Sequence, residues 1–423
     1  MRSNSLRDSS PATSSPSKSS FDTGEVPSTP SRTYKTTALC TNVSCEVIAL
    51  LDSIVQGMAT DCVSGSCAMA SSALSNLSTL IDVAADTVRN AEELWNVTIM
   101  AAKQMSSARL SVNAAVKSCL LRALAEIQES WKLQVSTEQQ SQSATAKSPP
   151  ELARIAAFVI QGILNQRAHA DTNLGKSFTY WVKAFAPKST TTTSTTSCSG
   201  PDFDNQDMLK IMTLGNPGSI YSGILMLLLH APTIHIQLTI LESRPRFVGP
   251  VLAAKLLSQA PRHVHDRLHI RVAPDCAVAA MAQDVDIVLL GADRISSSSS
   301  SSSTGTVLTS MGSLAAVVCT KKLQPLAKIV ILTDAENIVA PHEPEWTPEQ
   351  HPPQELTAAW HPSTKHTLEG LQCQANLDVF LECYEEVPRE LIDVYLTEHG
   401  ILDAGGVRRA GEQIGNLEKR FFG

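Results

Sequence analysis

Five short apolar runs in the second half of the chain restrict its fold more than any other feature. They are "LKIMTL" (Leu209 to Leu214), "IHIQLTIL" (Ile234 to Leu241), "HIRVA" (His269 to Ala273), "VDIVLL" (Val285 to Leu290) and "KIVILTD" (Lys328 to Asp334). Helical stretches of about ten or more residues separate them. Continuous apolar strands of this kind are buried on both faces, which predicts an α/β architecture: a parallel sheet with helices on each side. Ligands bind such sheets beyond the carboxyl ends of the strands, where loops and helix N-termini converge. The residues that follow each run are therefore the candidate site.

After the first run, Gly215, Asn216, Pro217, Gly218 and Ser219 lead into a helix. Small residues feeding a helix N-terminus expose backbone N–H groups and favour an anion there, although an ordinary tight turn has the same composition. After the second run come Glu242 and Arg244, beside Pro245. A guanidinium at that place suits a phosphate or carboxylate, and the acid suits a sugar hydroxyl; an Arg–Glu pair closing a loop is the structural alternative. After the fourth run comes Asp293. A carboxylate at the end of a buried strand costs several kcal/mol unless hydrogen-bonded or half solvated, so it serves a ligand, a proton transfer or a cap.

The first half reads differently. Residues 1–36 are rich in Ser, Thr and Pro, have little to bury and are expected to be a disordered tail. A helical domain is expected over 37–185, where Val116, Leu120, Leu124, Ile127 and Trp131 recur at intervals of three and four. It is interrupted by a polar linker near 136–150 ending in Pro149 and Pro150. A low-complexity linker at 186–204 leads to the α/β domain, 205–423.

Charge and cysteine content narrow the partners. A net charge of -7 argues against a general nucleic-acid or anionic-membrane binder, and no apolar run approaches the ~18–20 residues of a membrane span. The first residues lack the apolar core of a signal peptide, and Asp8, Asp22 and Glu25 carry the wrong charge for a transit peptide, so a cytoplasmic location is expected. The ten cysteines form no C-x-x-C pair and read as reduced thiols. His263, His265 and His269 read as a solvated face, and neither a metal nor a cofactor is expected.

Taken together, "ESRP" at Glu242 to Pro245, "GADRI" at Gly291 to Ile295, "GTVLTSMGSLAAVV" from Gly305 and "YEEVPRELIDVYLTEHGIL" from Tyr384 resemble the alpha/beta/delta regulatory subunits of eukaryotic translation initiation factor 2B. They also resemble that family's relatives, the methylthioribose-1-phosphate and ribose-1,5-bisphosphate isomerases. "DCVSGSCAMASSAL" (Asp61 to Leu74) and "QMSSARLSVNAAV" (Gln104 to Val116) are similar to the family's N-terminal elements. The resemblance implies an N-terminal helical domain joined to a Rossmann-like domain of the NagB/RpiA/CoA-transferase type. It also implies oligomers with protein subunits of the same family, and a pocket able to take a sugar phosphate or nucleotide.

Within the family, the isomerases carry a cysteine in a T-H-C-N-T-G turn that works with the aspartate of the GAD motif. Here Thr213-Leu214-Gly215-Asn216-Pro217-Gly218 puts glycine at that position, and glycine can neither donate nor accept a proton. The family's Asn-Lys pair is replaced by Thr309-Ser310 before Met311-Gly312-Ser313. The resemblance therefore points to a non-catalytic member. The alternative is an aldose–ketose isomerase with Asp293 as acid/base, Arg244 as phosphate clamp and a displaced Cys276 as substitute thiol. CoA transfer is permitted by the fold, but no glutamate is clearly placed as acyl acceptor.

Eight serines, Ser296 to Ser303, follow the GAD motif. Polyserine has no apolar surface to pack, so a mobile loop is expected between that turn and a helix carrying Gly305 to Val318, at the rim of the pocket.

Overall fold

The five runs form five parallel strands. In the computed structural model these are β1 (Met208–Thr213), β2 (His235–Leu241), β3 (Leu268–Ala273), β4 (Ile287–Leu290) and, later in the chain, β7 (Lys328–Leu332). The described residues are 43–61, 65–109, 113–139, 147–185, 208–215, 218–296, 305–343, 346, 348, 351–352, 354–372 and 379–423. The expected tail, the 186–204 linker and the serines from Ser297 to Ser303 lie outside them.

Among the described residues, five helices precede the sheet: α1 (Cys45–Thr60), α2 (Ser66–Ala85), α3 (Ala91–Ser106), α4 (Asn113–Gln139) and α5 (Pro149–Phe185). The stripe Val116, Leu120, Leu124, Ile127 and Trp131 is buried in their shared core, as its spacing requires. Trp131 packs edge-on against Trp95 at 5.5 Å, and its indole N–H donates to the Leu152 carbonyl at 3.1 Å.

At 136–139 and 149–150 the chain is helical where the sequence predicts a linker. Residues 136–139 complete α4, and the two prolines begin α5. A proline in the first turn of a helix sacrifices only an N–H that has no partner anyway. Ser148 and Glu151 fix the start, since both the Ser148 N–H and its hydroxyl donate to the Glu151 carboxylate at 2.9 and 3.1 Å. The long α5 then serves two cores. Leu152, Ala156 and Ile160 pack with α1–α4, whereas Leu174, Phe178 and Val182 lie under the sheet.

The remaining elements, in order, are α6 (Gly218–His230), α7 (Val248–Gln259), α8 (Val278–Met281), β5 (Arg294–Ile295), β6 (Thr306–Ser310), α9 (Ser313–Leu323), α10 (Gln354–Thr357), α11 (Pro362–Gln372), β8 (Tyr384–Pro388), β9 (Val394–Thr397), β10 (Gly400–Leu402) and α12 (Ala404–Phe421). The seven-stranded sheet runs β10-β9-β7-β4-β1-β2-β3, parallel except for β10. Along β4, Ile287 and Leu289 join the core beneath α5, α6 and α7, while Val288 and Leu290 join the core on the opposite face, with α9 and α12. Both sets are fully apolar because a strand in the middle of such a sheet has no solvent face. No helix among the described residues is long and apolar enough to cross a membrane.

A second, antiparallel sheet, β5-β6-β8, stands beside the first. It changes the reading of Gly305 to Val318: Thr306–Ser310 is a strand, and only from Ser313 does the helix α9 begin. Thr and Val are β-branched and favour strands, and Gly312, at φ +100°, turns the chain before the helix starts. Arg294 and Ile295 pair with Leu308 and Val307, so the serine run connects the two strands of a hairpin. Its described end is pinned: the Ser296 N–H donates to the Thr306 carbonyl at 2.9 Å, and the Thr306 N–H donates to Ser296 Oγ at 3.0 Å.

Candidate functional site

The carboxyl ends of β1, β2, β4 and β7 open onto a cavity of about 450 Å³. Its floor begins where β1 ends. Thr213 Oγ donates to the Leu289 carbonyl at 2.7 Å, and the chain turns through Gly215 at φ +79°. That backbone region favours glycine because a Cβ would crowd the following carbonyl. The Gly215 N–H donates to Ser243 Oγ at 2.7 Å, tying the end of β1 to the end of β2.

The β2 turn is built around Asp275. Its two carboxylate oxygens accept the N–H groups of Ser243 and Arg244 at 2.8 and 2.7 Å. These bonds fix the turn and leave the Arg244 side chain exposed over the Phe247 ring, 5.1 Å from its centroid. Gly249 closes the turn: a Cβ there would stand 2.0 Å from the Leu241 carbonyl oxygen, so no larger residue fits.

Asp293 follows β4 and is half-buried, with its N–H donating to the Leu308 carbonyl at 2.9 Å. Beside it, the end of β7 adds Thr333, Asp334 and Asn337. Asn337 Nδ2 donates to the Ala292 carbonyl at 3.0 Å and to Thr333 Oγ at 2.8 Å, locking the two strand ends together. Its Oδ1 and the Oδ1 of Asp334 are buried and have no hydrogen-bond partner among the described residues. Burial, reinforced by the Glu398 and Asp171 carboxylates, pushes Asp334 up to about 7, against the opposing pull of Arg167.

The wall opposite the sheet comes from the helical half: Gly65, Ser66, Cys67 and Ser71 at the start of α2, and Asp171 on α5. Arg167, buried one turn before Asp171, organises this wall. Its guanidinium donates to Cys119 Sγ at 2.7 Å, to the Cys67 carbonyl at 2.9 Å and to Ser71 Oγ at 3.2 Å, and it pairs with the Glu336 carboxylate. Glu336 lies between Asp334 and Asn337, so one cation joins the helical half to the β7 turn. The Cys67 thiol is pushed up by lost hydration and then by Asp334, while Arg167 pulls it down.

Of the expected site residues, Gly218, Ser219, Arg244 and Asp293 line this cavity together. Gly215 shapes its floor from just outside the lining, and Asn216 lies outside the described residues. Glu242 does not line the cavity: its N–H donates to the Ala273 carbonyl at 2.9 Å and its carbonyl accepts the Gly249 N–H at 3.2 Å. Cys276 is exposed and is also not among the lining residues, so the expectation of a displaced thiol there is not met.

The lining also includes Cys67, Asp171, Arg246, Asp334 and Asn337, none of which follows from the sequence pattern as read above. Asp334 is the nearest to legible, since it ends an apolar run as Asp293 does. Cys67 and Asp171 arrive by packing between distant segments and carry no local signal.

Thr309 and Ser310 are among the lining residues, with the Thr309 hydroxyl buried 3.4 Å from Ser313 Oγ. The adjoining start of α9 is already supplied with an anion, because the Leu314 N–H donates to the Glu385 carboxylate at 2.8 Å.

The family model for the Initiation factor 2 subunit family matches residues 62–404. Among solved structures, the tetrameric eIF2B-beta2-delta2 complex from C. thermophilum is similar with a TM-score of 0.55 and 12% identity, covering 87% of this chain and 95% of that one. The translation initiation factor eIF-2B of Pyrococcus horikoshii OT3 follows at 0.53 and 12%, covering 85% and 98%. The beta subunit of eIF2B from Chaetomium thermophilum gives 0.50 and 14%, covering 89% and 91%. At these identities the likeness establishes the fold. Among curated proteins, none matches the sequence.

Proposed function

This chain belongs to the Initiation factor 2 subunit family, and on that basis we propose that it is a non-catalytic, regulatory-type member that holds an anionic ligand in the cavity and acts through protein assembly. Its partners are subunits of the same family, in a homo- or hetero-oligomer in the cytoplasm, and its role lies in regulating guanine-nucleotide exchange or a related assembly.

The observation that carries this reading is Gly215. By the sequence resemblance it stands where the isomerases place their cysteine, and it sits at a φ that suits glycine, with its N–H engaged by Ser243. The rest of the pocket keeps binding groups: the Arg244 guanidinium, the Gly218 and Ser219 start of α6, and Asp293. A cavity of about 450 Å³ suits a phosphorylated sugar or a nucleotide. Such a pocket retains recognition without the proton-transfer pair.

Tagging the chain in its own cells and purifying it under mild salt tests the assembly. Recovery of other factor 2B subunits in fixed ratio supports the reading, and their consistent absence removes the part of it that concerns that complex.

A second reading, an aldose–ketose isomerase acting on a phosphorylated pentose, is favoured by one observation: Cys67 brings a thiol to the cavity that Asp293 lines. Against it, the Cys67 thiol is held up rather than lowered, and a nucleophile or proton relay needs the opposite shift.

A further inference from the structure

His351, Glu355 and Cys383 bring a nitrogen, an oxygen and a sulfur atom within 4.8 Å of one another. His351 precedes α10 and Glu355 lies in its first turn, where the Glu355 N–H donates to the Pro352 carbonyl at 2.9 Å. Cys383 immediately precedes β8 and is held there by its carbonyl, which accepts the Met311 N–H at 2.9 Å. The His351 side chain is 2% exposed, and its Nδ1 stands 3.7 Å from Glu355 Oε1.

These positions have the dimensions of a tetrahedral metal site. Bonds of about 2.0–2.3 Å to a central ion put neighbouring donors roughly 3.3–3.8 Å apart. The His–Glu pair already has that spacing, and the thiol needs to close by no more than about 1 Å.

A cation already uses two of these side chains. Arg246 Nε donates to Glu355 Oε2 at 2.9 Å, and Arg246 Nη2 lies 3.1 Å from His351 Nδ1. Because a guanidinium only donates, a hydrogen bond there uses Nδ1 as the acceptor, the same role it would take toward a metal. We propose that His351, Glu355 and Cys383 form a binding site for a borderline divalent metal ion, zinc by the chemistry of the donors, which competes with the Arg246 guanidinium for them. A thiolate, an imidazole and a carboxylate select zinc over magnesium or calcium. On binding, the Cys383 S–H bond breaks, its proton goes to solvent and a sulfur–metal bond forms, while Arg246 moves aside. The ion would tie the start of α10 to the wall of the cavity, since Cys383 is part of that wall. The sequence alone predicts no metal here because His351, Glu355 and Cys383 follow no ligand spacing pattern. The inference does not depend on the proposed function.

The test titrates zinc chloride into the reduced, chelator-treated full chain against a chromophoric competitor. The proposal expects one tight equivalent that Cys383→Ser and His351→Ala lose by more than the roughly 10–100-fold that loss of an outer-shell partner costs. Cys276→Ser keeps that equivalent. Arg246→Met binds zinc more tightly, by roughly tenfold, because it removes the competing cation. Cobalt in place of zinc gives the wild-type chain a thiolate charge-transfer band that Cys383→Ser lacks, and zinc raises the melting temperature of the wild type but not of Cys383→Ser. Absence of a tight equivalent in the wild type, its retention in Cys383→Ser, or unchanged affinity in Arg246→Met overturns the proposal. Cys383→Ser changes a single atom and remains decisive if His351→Ala fails to fold.

Discussion

The backbone N–H of Gly215 donates to the hydroxyl of Ser243 at 2.7 Å, so the ends of β1 and β2 are joined at the turn where the sequence resemblance would put the isomerases' cysteine. The bond holds Gly215 at φ +79°. Gly215→Cys therefore costs roughly 1–2 kcal/mol of stability and gives no sugar-phosphate turnover. Urea unfolding checks the first outcome and an isomerase assay the second; a stable, active variant would mean that the turn readily accepts a side chain.

Arg244 is the cation best placed to meet an anion in the cavity, because Asp275 holds its backbone and leaves its side chain exposed. Arg244→Ala is expected to weaken ribose-1,5-bisphosphate binding by about 1.5–3 kcal/mol, a loss of roughly ten- to a hundredfold. Titration calorimetry of both proteins reads this directly, and equal affinities remove Arg244 from the site.

Asp334 gives stability a particular dependence on pH. Its carboxyl is held near 7 in the folded chain, above its ordinary value of 3.8. Between those two values the folded state binds the proton that the unfolded state has released, so this group's contribution falls as pH rises and its penalty is complete above about 7. Asp334→Asn mimics the protonated form. The variant is expected to match the wild type near pH 4 and to exceed it by a few kcal/mol at pH 8. Denaturant midpoints at the two pH values decide it; a gain as large at pH 4 as at pH 8 would place the cause elsewhere.

Arg167 and Glu336 form a largely buried ion pair between α5 and the β7 turn, with side chains 6% and 17% exposed. Removing one member strands the other, so Arg167→Met should cost about 3–5 kcal/mol. The double variant Arg167→Met/Glu336→Leu should recover part of that loss. A double-mutant cycle without coupling would show that the pair does not act as a unit.

The strand-end rule explains which parts of the site were legible in the sequence. Gly218, Ser219, Arg244 and Asp293 meet in one cavity because they follow neighbouring strands of one parallel sheet. Asp334 obeys the same rule at the end of β7. Glu242 follows the rule by position but not by direction, since its backbone is taken up by β3 and α7. Cys67 and Asp171 lie beyond the rule: they reach the cavity because α2 packs on α5, whose later residues lie under the sheet, a contact between segments far apart in the chain. The small sheet escapes for another reason. β5 has two residues, and β8, "YEEVP", carries two carboxylates and a proline, which leaves no apolar alternation to detect.

Turnover is the measurement that tests the non-catalytic assignment without intermediaries. Purified full-length chain is incubated with methylthioribose-1-phosphate and, separately, with ribose-1,5-bisphosphate, and the formation of the ketose is followed. A non-catalytic pocket gives no conversion above that of buffer alone, with both compounds still bound in the cavity. Steady turnover of either compound, abolished by Asp293→Asn, would contradict the assignment.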